Sequence, residues 1–210
     1  MYRVGFIDDQ DKHVGNYKKR LANHDIDLIY LKDSLKYSEI LDWVLEEKLE
    51  CLLIDYKLAP KYDFVGSKLA NYINKQIFDL PCLLLTSYAT DALRESLVSK
   101  SNIINKMDMR EGIGQVSEII TQNIDVFRNR MELAEEEYRS NIPRYKRGEM
   151  SPNEVASLKE QYRILSGYHV IEEFDWENIN QEIDLELTKI IDKLDKIIEK
   201  FEGFEDEKNI

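Results

Sequence analysis

The stretch Cys51-Leu52-Leu53-Ile54-Asp55 restricts the fold of this chain more than any other. Four consecutive apolar residues leave the segment no polar face, so it reads as a strand buried on both sides, as in a parallel sheet between two layers of helices. Asp55 then stands at the carboxyl end of that strand, the edge at which open α/β sheets bind their ligands. Two other runs are built alike: Val4-Gly5-Phe6-Ile7 ends in Asp8-Asp9, and Cys82-Leu83-Leu84-Leu85 ends in Thr86-Ser87. A shorter piece, Ile103-Ile104, leads through Asn105 to Lys106, which adds a cation to the same edge if the strands are parallel.

Between these runs the pattern turns helical. Val14, Tyr17 and Leu21 share one face of a helix expected over residues 11–23, with Asp11 as its N-cap. A second strand is expected over 27–31. Ile40, Leu41, Val44 and Leu45 mark a helix over 38–47, Val65, Leu69, Tyr72 and Ile73 mark a third, and a fourth is expected over 89–98. Pro81 stands just before a strand, where its missing N–H is tolerated. A fifth helix starts near Gly112 or Gly114. Five strands alternating with five helices give an α/β fold, a doubly wound parallel sheet, because each crossover is right-handed and returns to a parallel neighbour.

Beyond about residue 127 no strand-like run occurs, which divides the chain into an α/β part, 1–127, and an all-α extension, 128–210. The fifth helix is expected to continue through Ile119, Ile124, Phe127 and Met131 to about Arg139, with Pro143 stopping it and Arg144-Tyr145-Lys146-Arg147 forming a solvated loop. Ser151-Pro152-Asn153-Glu154 has capping-box spacing with proline at the first helical position, so a new helix starts there and ends at Gly167. Residues 168–176 read as a connector with exposed aromatics, and His169 within it as a surface residue. Ile183, Leu187, Ile190, Leu194, Ile197 and Phe201 then alternate four and three apart, the seam of a coiled coil or helical hairpin. Ile191 and Ile198 widen that stripe toward bundle packing. Its partner helix is left open between the same chain, a second copy in a homodimer, and another protein.

The net charge of −12 argues against nucleic acid and anionic membranes as partners. From Arg128 onward 21 acidic residues face 13 basic ones and no DNA-reading motif occurs, which argues against a transcription-factor output. No signal-peptide pattern or membrane-length apolar run is present, so a cytoplasmic protein is expected. Cys51 and Cys82 both open apolar strands and read as buried free thiols rather than a disulfide or a metal site.

With Asp8-Asp9 after the first strand, Asp55 after the third, Thr86 after the fourth and Lys106 after the fifth, the first three fifths of the chain resembles the receiver domain of two-component response regulators. The resemblance implies a flavodoxin-like sheet of order 2-1-3-4-5. It implies Asp55 as phosphoacceptor and Mg²⁺ as cofactor, held by Asp8, Asp9, Asp55 and the backbone carbonyl of Lys57, with Thr86 and Lys106 contacting the phosphoryl oxygens. Three close carboxylates repel one another, and a hard divalent cation relieves that repulsion. Ser87 fits as the small residue beside the threonine. The chain departs from the family at Ile103, where an aromatic is usual, and at Met107, where a proline in a cis bond is usual. Lys57 and Tyr88 flank the family's path for hydrolytic water, and a cation and a bulky ring there imply a long-lived phosphoryl group.

The expectation is a bacterial signalling module rather than a turnover enzyme. It accepts phosphoryl groups from a histidine kinase or phosphotransfer protein and passes the signal to an effector by contact through its helical extension. Two alternatives stay open: a non-phosphorylated scaffold that keeps the acidic pocket as a relic, and a phosphate sink in a relay.

Overall fold

The computed structural model describes residues 1–87, 93, 95 and 97–171. The helix expected over 89–98 falls mostly outside these residues, and Tyr88 and the heptad stretch 183–201 fall wholly outside them. In chain order the elements are β1 (Tyr2–Ile7), α1 (Val14–Ala22), β2 (Ile26–Tyr30), α2 (Tyr37–Glu46), β3 (Cys51–Asp55), α3 (Gly66–Gln76), β4 (Cys82–Thr86), a 3-10 turn (Lys100–Asn102), β5 (Ile103–Asn105), α4 (Asp108–Glu111), α5 (Ile113–Lys146) and α6 (Pro152–Gly167). The strands form one parallel sheet in the order β2-β1-β3-β4-β5.

Every residue of β3 and β4 is buried, as continuous apolar runs require. Successive side chains serve opposite faces. Leu52, Ile54 and Leu84 join Ile40, Val44, Leu69 and Ile73 of α2 and α3. Cys51, Leu53, Leu83 and Leu85 join Tyr17 and Leu21 of α1 and Val116, Ile120 and Ile124 of α5. Burying each such side chain contributes about 1.5–3 kcal/mol relative to leaving it exposed, so the central strands anchor both layers. Both cysteines are buried and unbridged, and burial pushes the Cys82 thiol up to about 12.

Helix α5 departs from expectation. It does not stop before Pro143 but runs 34 residues to Lys146, about 50 Å at 1.5 Å per residue. Its N-terminal part covers the sheet, whereas Ala134, Tyr138 and Tyr145 are buried where α5 pairs with α6 through Leu158 and Leu165. Pro143 falls in the last turn, and that turn is held from outside by the burial of Tyr145 and by the Arg144–Glu154 ion pair at 2.7 Å. The basic run is therefore not a solvated loop. Arg144 and Lys146 occupy the last turn of a helix, where cations suit the exposed carbonyls.

Helix α6 begins as its sequence implies: Ser151 accepts from the Glu154 amide, and Glu154 accepts in return from the Ser151 amide. Its far end packs against the α/β part. A Cβ on Gly167 would lie 2.5 Å from the Gln76 carbonyl oxygen, so only glycine permits this approach to the end of α3. Tyr168 is not an exposed connector residue. Its hydroxyl donates to the Leu49 carbonyl at 2.8 Å and its ring meets Phe127 edge-on at 5.4 Å. Met1–Ile171 accordingly forms one compact unit. Among the described residues no helix is long and apolar enough to cross a membrane.

Candidate functional site

Parallel register brings the strand ends together. Ile7 pairs with Ile54, Asp55 with Leu85 and Thr86 with Asn105, so the residues that follow β1 and β5 share one edge with the last residues of β3 and β4. At that edge carboxylate oxygens of Asp8, Asp9 and Asp55 lie within 4.8 Å of one another, the one such acidic group among the described residues. Lys106 Nζ donates to Asp55 Oδ2 at 2.7 Å and stands 3.9 Å from Asp8 Oδ2. Asp8, Asp55 and Thr86 are 8%, 3% and 1% exposed.

The backbone fixes these groups. Asp8 Oδ1 accepts from the Gln10 amide at 2.8 Å, and Asp55 Oδ1 from the Lys57 amide at 3.4 Å. The Lys106 amide donates to the Thr86 carbonyl at 3.1 Å, and the Met107 amide to Asn105 Oδ1 at 2.9 Å, which closes a turn around the lysine without proline. Behind Asp55, a Cβ on Gly66 would collide with the Asp55 carbonyl oxygen, so α3 starts directly against the acid-bearing residue.

Burial dominates the electrostatics. It raises the Asp8 carboxyl to about 6, with the Asp55 charge adding to the rise and the Gln10 amide and Lys106 opposing it. Burial also raises Asp55, against the hydrogen bond and charge of Lys106. Both shifts mark carboxylates short of positive charge. Two buried carboxylates and a half-buried third, all oxygen donors, form a set that could hold a hard divalent cation such as Mg²⁺.

The site also contains groups that the sequence did not single out. Lys61, in the loop after β3, donates to the carbonyls of Leu31 and Asp8 at 3.0 and 3.4 Å and to the Tyr30 hydroxyl at 3.3 Å. Its ammonium lies over the rings of Tyr30 and Tyr62, 5.0 and 5.3 Å from their centroids. These bonds tie the loop after β3 to the loops after β1 and β2. Their sequence separations of 31 and 53 follow no helical or strand period.

Asp11 does not cap α1. The helix starts at Val14 after His13, and Asp11 is exposed and contributes only its carbonyl, which accepts from the Val14 amide at 3.0 Å. The intervening turn moves its side chain out of reach of the first helical amides. Lys57, Ser87 and His169 are exposed.

No family model matches the chain, and no curated protein sequence does. Solved structures do. The signal receiver domain of an HD domain-containing protein from Pseudomonas fluorescens Pf-5 is 14% identical, over 62% of this chain and 92% of that one, with a TM-score of 0.49. The non-phosphorylated HemR receiver domain from Leptospira biflexa is 24% identical, over 57% and 94%, with a TM-score of 0.46. A response regulator receiver protein from Pseudoalteromonas atlantica is 20% identical, over 57% and 98%, with a TM-score of 0.43. Each of these three structures bears the name of a receiver domain or receiver protein and is matched over about three fifths of this chain, and the described residues beyond that part are helical.

Proposed function

We propose that the chain is a phosphoacceptor of two-component signalling, modified on Asp55. The observation that carries this reading is the convergence of three carboxylates and the Lys106 ammonium at one buried sheet edge. A carboxylate oxygen of Asp55 attacks the phosphorus of a phosphohistidine on a kinase or phosphotransfer protein. The P–O bond forms as the P–N bond breaks, and the imidazole nitrogen leaves with the electron pair and takes up a proton. In this reading Lys106 neutralises charge on the phosphoryl oxygens, and Thr86, at the end of β4, donates its hydroxyl to one of them.

Asp8, Asp9, Asp55 and the Lys57 carbonyl are the groups that would hold Mg²⁺. When bound, the ion supplies positive charge that offsets the carboxylates and the incoming phosphoryl group. The chain does not turn over substrate. In this reading it acts in the bacterial cytoplasm, with residues 1–127 as the receiving part and 128–210 as the part that meets an effector or a second copy.

Incubation with Mg²⁺ and acetyl phosphate, followed by intact mass, tests this. The wild type gains one phosphate and Asp55→Asn gains none. A wild type that gains none, or an Asp55→Asn variant that gains as much, sinks the proposal.

A further inference from the structure

The first turn of α3 lacks a cap from its own sequence. Its N-cap is Val65, without a side-chain hydrogen bond, and no acidic residue lies in its first turn. Helix starts leave amides unsatisfied and favour a nearby anion. Here the anion comes from a distant part of the chain. The Glu95 carboxylate accepts from the Ser67 hydroxyl through Oε2 and from the Tyr56 hydroxyl through Oε1, the latter at 2.9 Å. Ser67 is the second residue of α3 and fully buried, and Tyr56 is 8% exposed and peptide-bonded to Asp55. Glu95 itself belongs to the link between β4 and β5, which follows Thr86, the last residue of β4.

We propose that Glu95 is a latch, joining the β4–β5 link to the start of α3 while Asp55 is unmodified and letting go when Asp55 carries a phosphoryl group. The inference rests on the phosphoacceptor reading. Two physical reasons set its direction. A phosphoryl group on Asp55 adds negative charge beside the α3 terminus that already holds the Glu95 carboxylate, and like charges in a poorly solvated site repel. A Thr86 hydroxyl drawn toward that group also displaces the start of the link that carries Glu95. A contact made in one state alone biases the equilibrium toward it, so the latch lowers the affinity of the pocket for any phosphoryl mimic. Charge-assisted hydrogen bonds are of a size that shifts such an equilibrium by about tenfold.

The test is titration of the full chain with beryllofluoride in saturating Mg²⁺ by calorimetry, for the wild type, Glu95→Gln and Tyr56→Phe. Magnesium binding without beryllofluoride and the thermal midpoint are measured alongside. The latch predicts beryllofluoride affinity up about tenfold in Glu95→Gln, a smaller rise in Tyr56→Phe, unchanged Mg²⁺ affinity in both, and a lower midpoint for the unliganded variants. Tyr56→Phe keeps the charge and deletes one bond, so it decides the matter should Glu95→Gln fail to fold. Variants that lose thermal stability while beryllofluoride affinity stays level or falls show a merely structural contact and overturn the latch alone. A wild type that binds Mg²⁺ but no beryllofluoride overturns the phosphoacceptor reading and the latch together.

Discussion

Lys106 Nζ lies 2.7 Å from Asp55 Oδ2 and 3.9 Å from Asp8 Oδ2, between two carboxylates that burial has stripped of solvent. The lysine therefore serves as their counter-charge before any metal or phosphoryl group arrives. Lys106→Met leaves both acids facing each other without it. Removing one partner of a buried pair costs roughly 3–5 kcal/mol, and because the lysine is 32% exposed the expected loss is about 1–3 kcal/mol. Urea unfolding in EDTA shows that loss, and about 10 mM Mg²⁺ narrows it by supplying positive charge to the same carboxylates. Phosphate uptake slows by roughly a hundredfold, the scale of losing one preorganised charged donor. Equal stability and equal uptake would show that the lysine does neither job.

The metal-free protein loses stability as pH rises through the range in which Asp8 ionises. Its carboxyl is raised in the folded state to about 6 from an ordinary value of 3.8, so between those values the folded form binds more protons than the unfolded form. Stability then falls with rising pH, by about 1.4 kcal/mol for each pH unit that separates the two values. Glu154 acts in the opposite sense, because the Ser151 amide and Arg144 hold it down at about 2 from an ordinary 4.5, so its window overlaps that of Asp8 only below pH 4.5 and is common to wild type and Asp8→Asn. Unfolding in EDTA from about pH 4 to 7, compared between wild type and Asp8→Asn, isolates the effect: the wild type declines more steeply. Mg²⁺ removes most of the difference, and parallel curves would contradict the assignment.

The sheet and its site edge were legible because both depend on local runs. Cys51–Ile54 cannot be anything but buried, and the residue after such a run falls at a strand end whatever the rest of the chain does. Asp8, Asp55 and Thr86 each follow from that rule, and Lys106 stands one residue further along, after Asn105. The features that escaped are decided by distant partners. Pro143 stays within α5 because Arg144 finds Glu154 of α6 and Tyr145 is buried, and Tyr168 is drawn in by Leu49 and Phe127. Lys61 and Glu95 gain their meaning from contacts 31 and 28 residues away, which leave no periodic trace.

If Asp55 is the phosphoacceptor, as proposed, Thr86 separates acceptance of the phosphoryl group from the response to it. The residue is 1% exposed, and its carbonyl holds the Lys106 amide at 3.1 Å, a bond that substitution of the side chain leaves in place. Thr86→Ala therefore keeps Lys106 against Asp55 and gains phosphate, with uptake within about tenfold of wild type, the cost of one hydroxyl donor. It loses the pull on the chain beyond β4. Amide exchange across residues 87–102 changes on adding beryllofluoride in the wild type and stays flat in Thr86→Ala. A variant that responds like the wild type would place the switch elsewhere.

The contact of Tyr168 with Leu49 lies at the opposite end of the sheet, since Leu49 precedes β3 while Asp55 ends it. Tyr168→Phe removes the hydroxyl and leaves a carbonyl of fully buried Leu49 without that donor, which costs about 1–3 kcal/mol. Tyr168→Ala also removes the ring that meets Phe127 edge-on, and costs more. Neither substitution touches the acidic pocket, so on the phosphoacceptor reading both variants accept one phosphate as the wild type does. The damage falls instead on α6, whose C-terminal turn loses an anchor while its Ser151 cap stays intact. Amide exchange in residues 161–168 therefore quickens relative to residues 152–158. Uniform exchange across α6, or loss of phosphate uptake, would mean that the two ends of the sheet are coupled more tightly than their separate contacts imply.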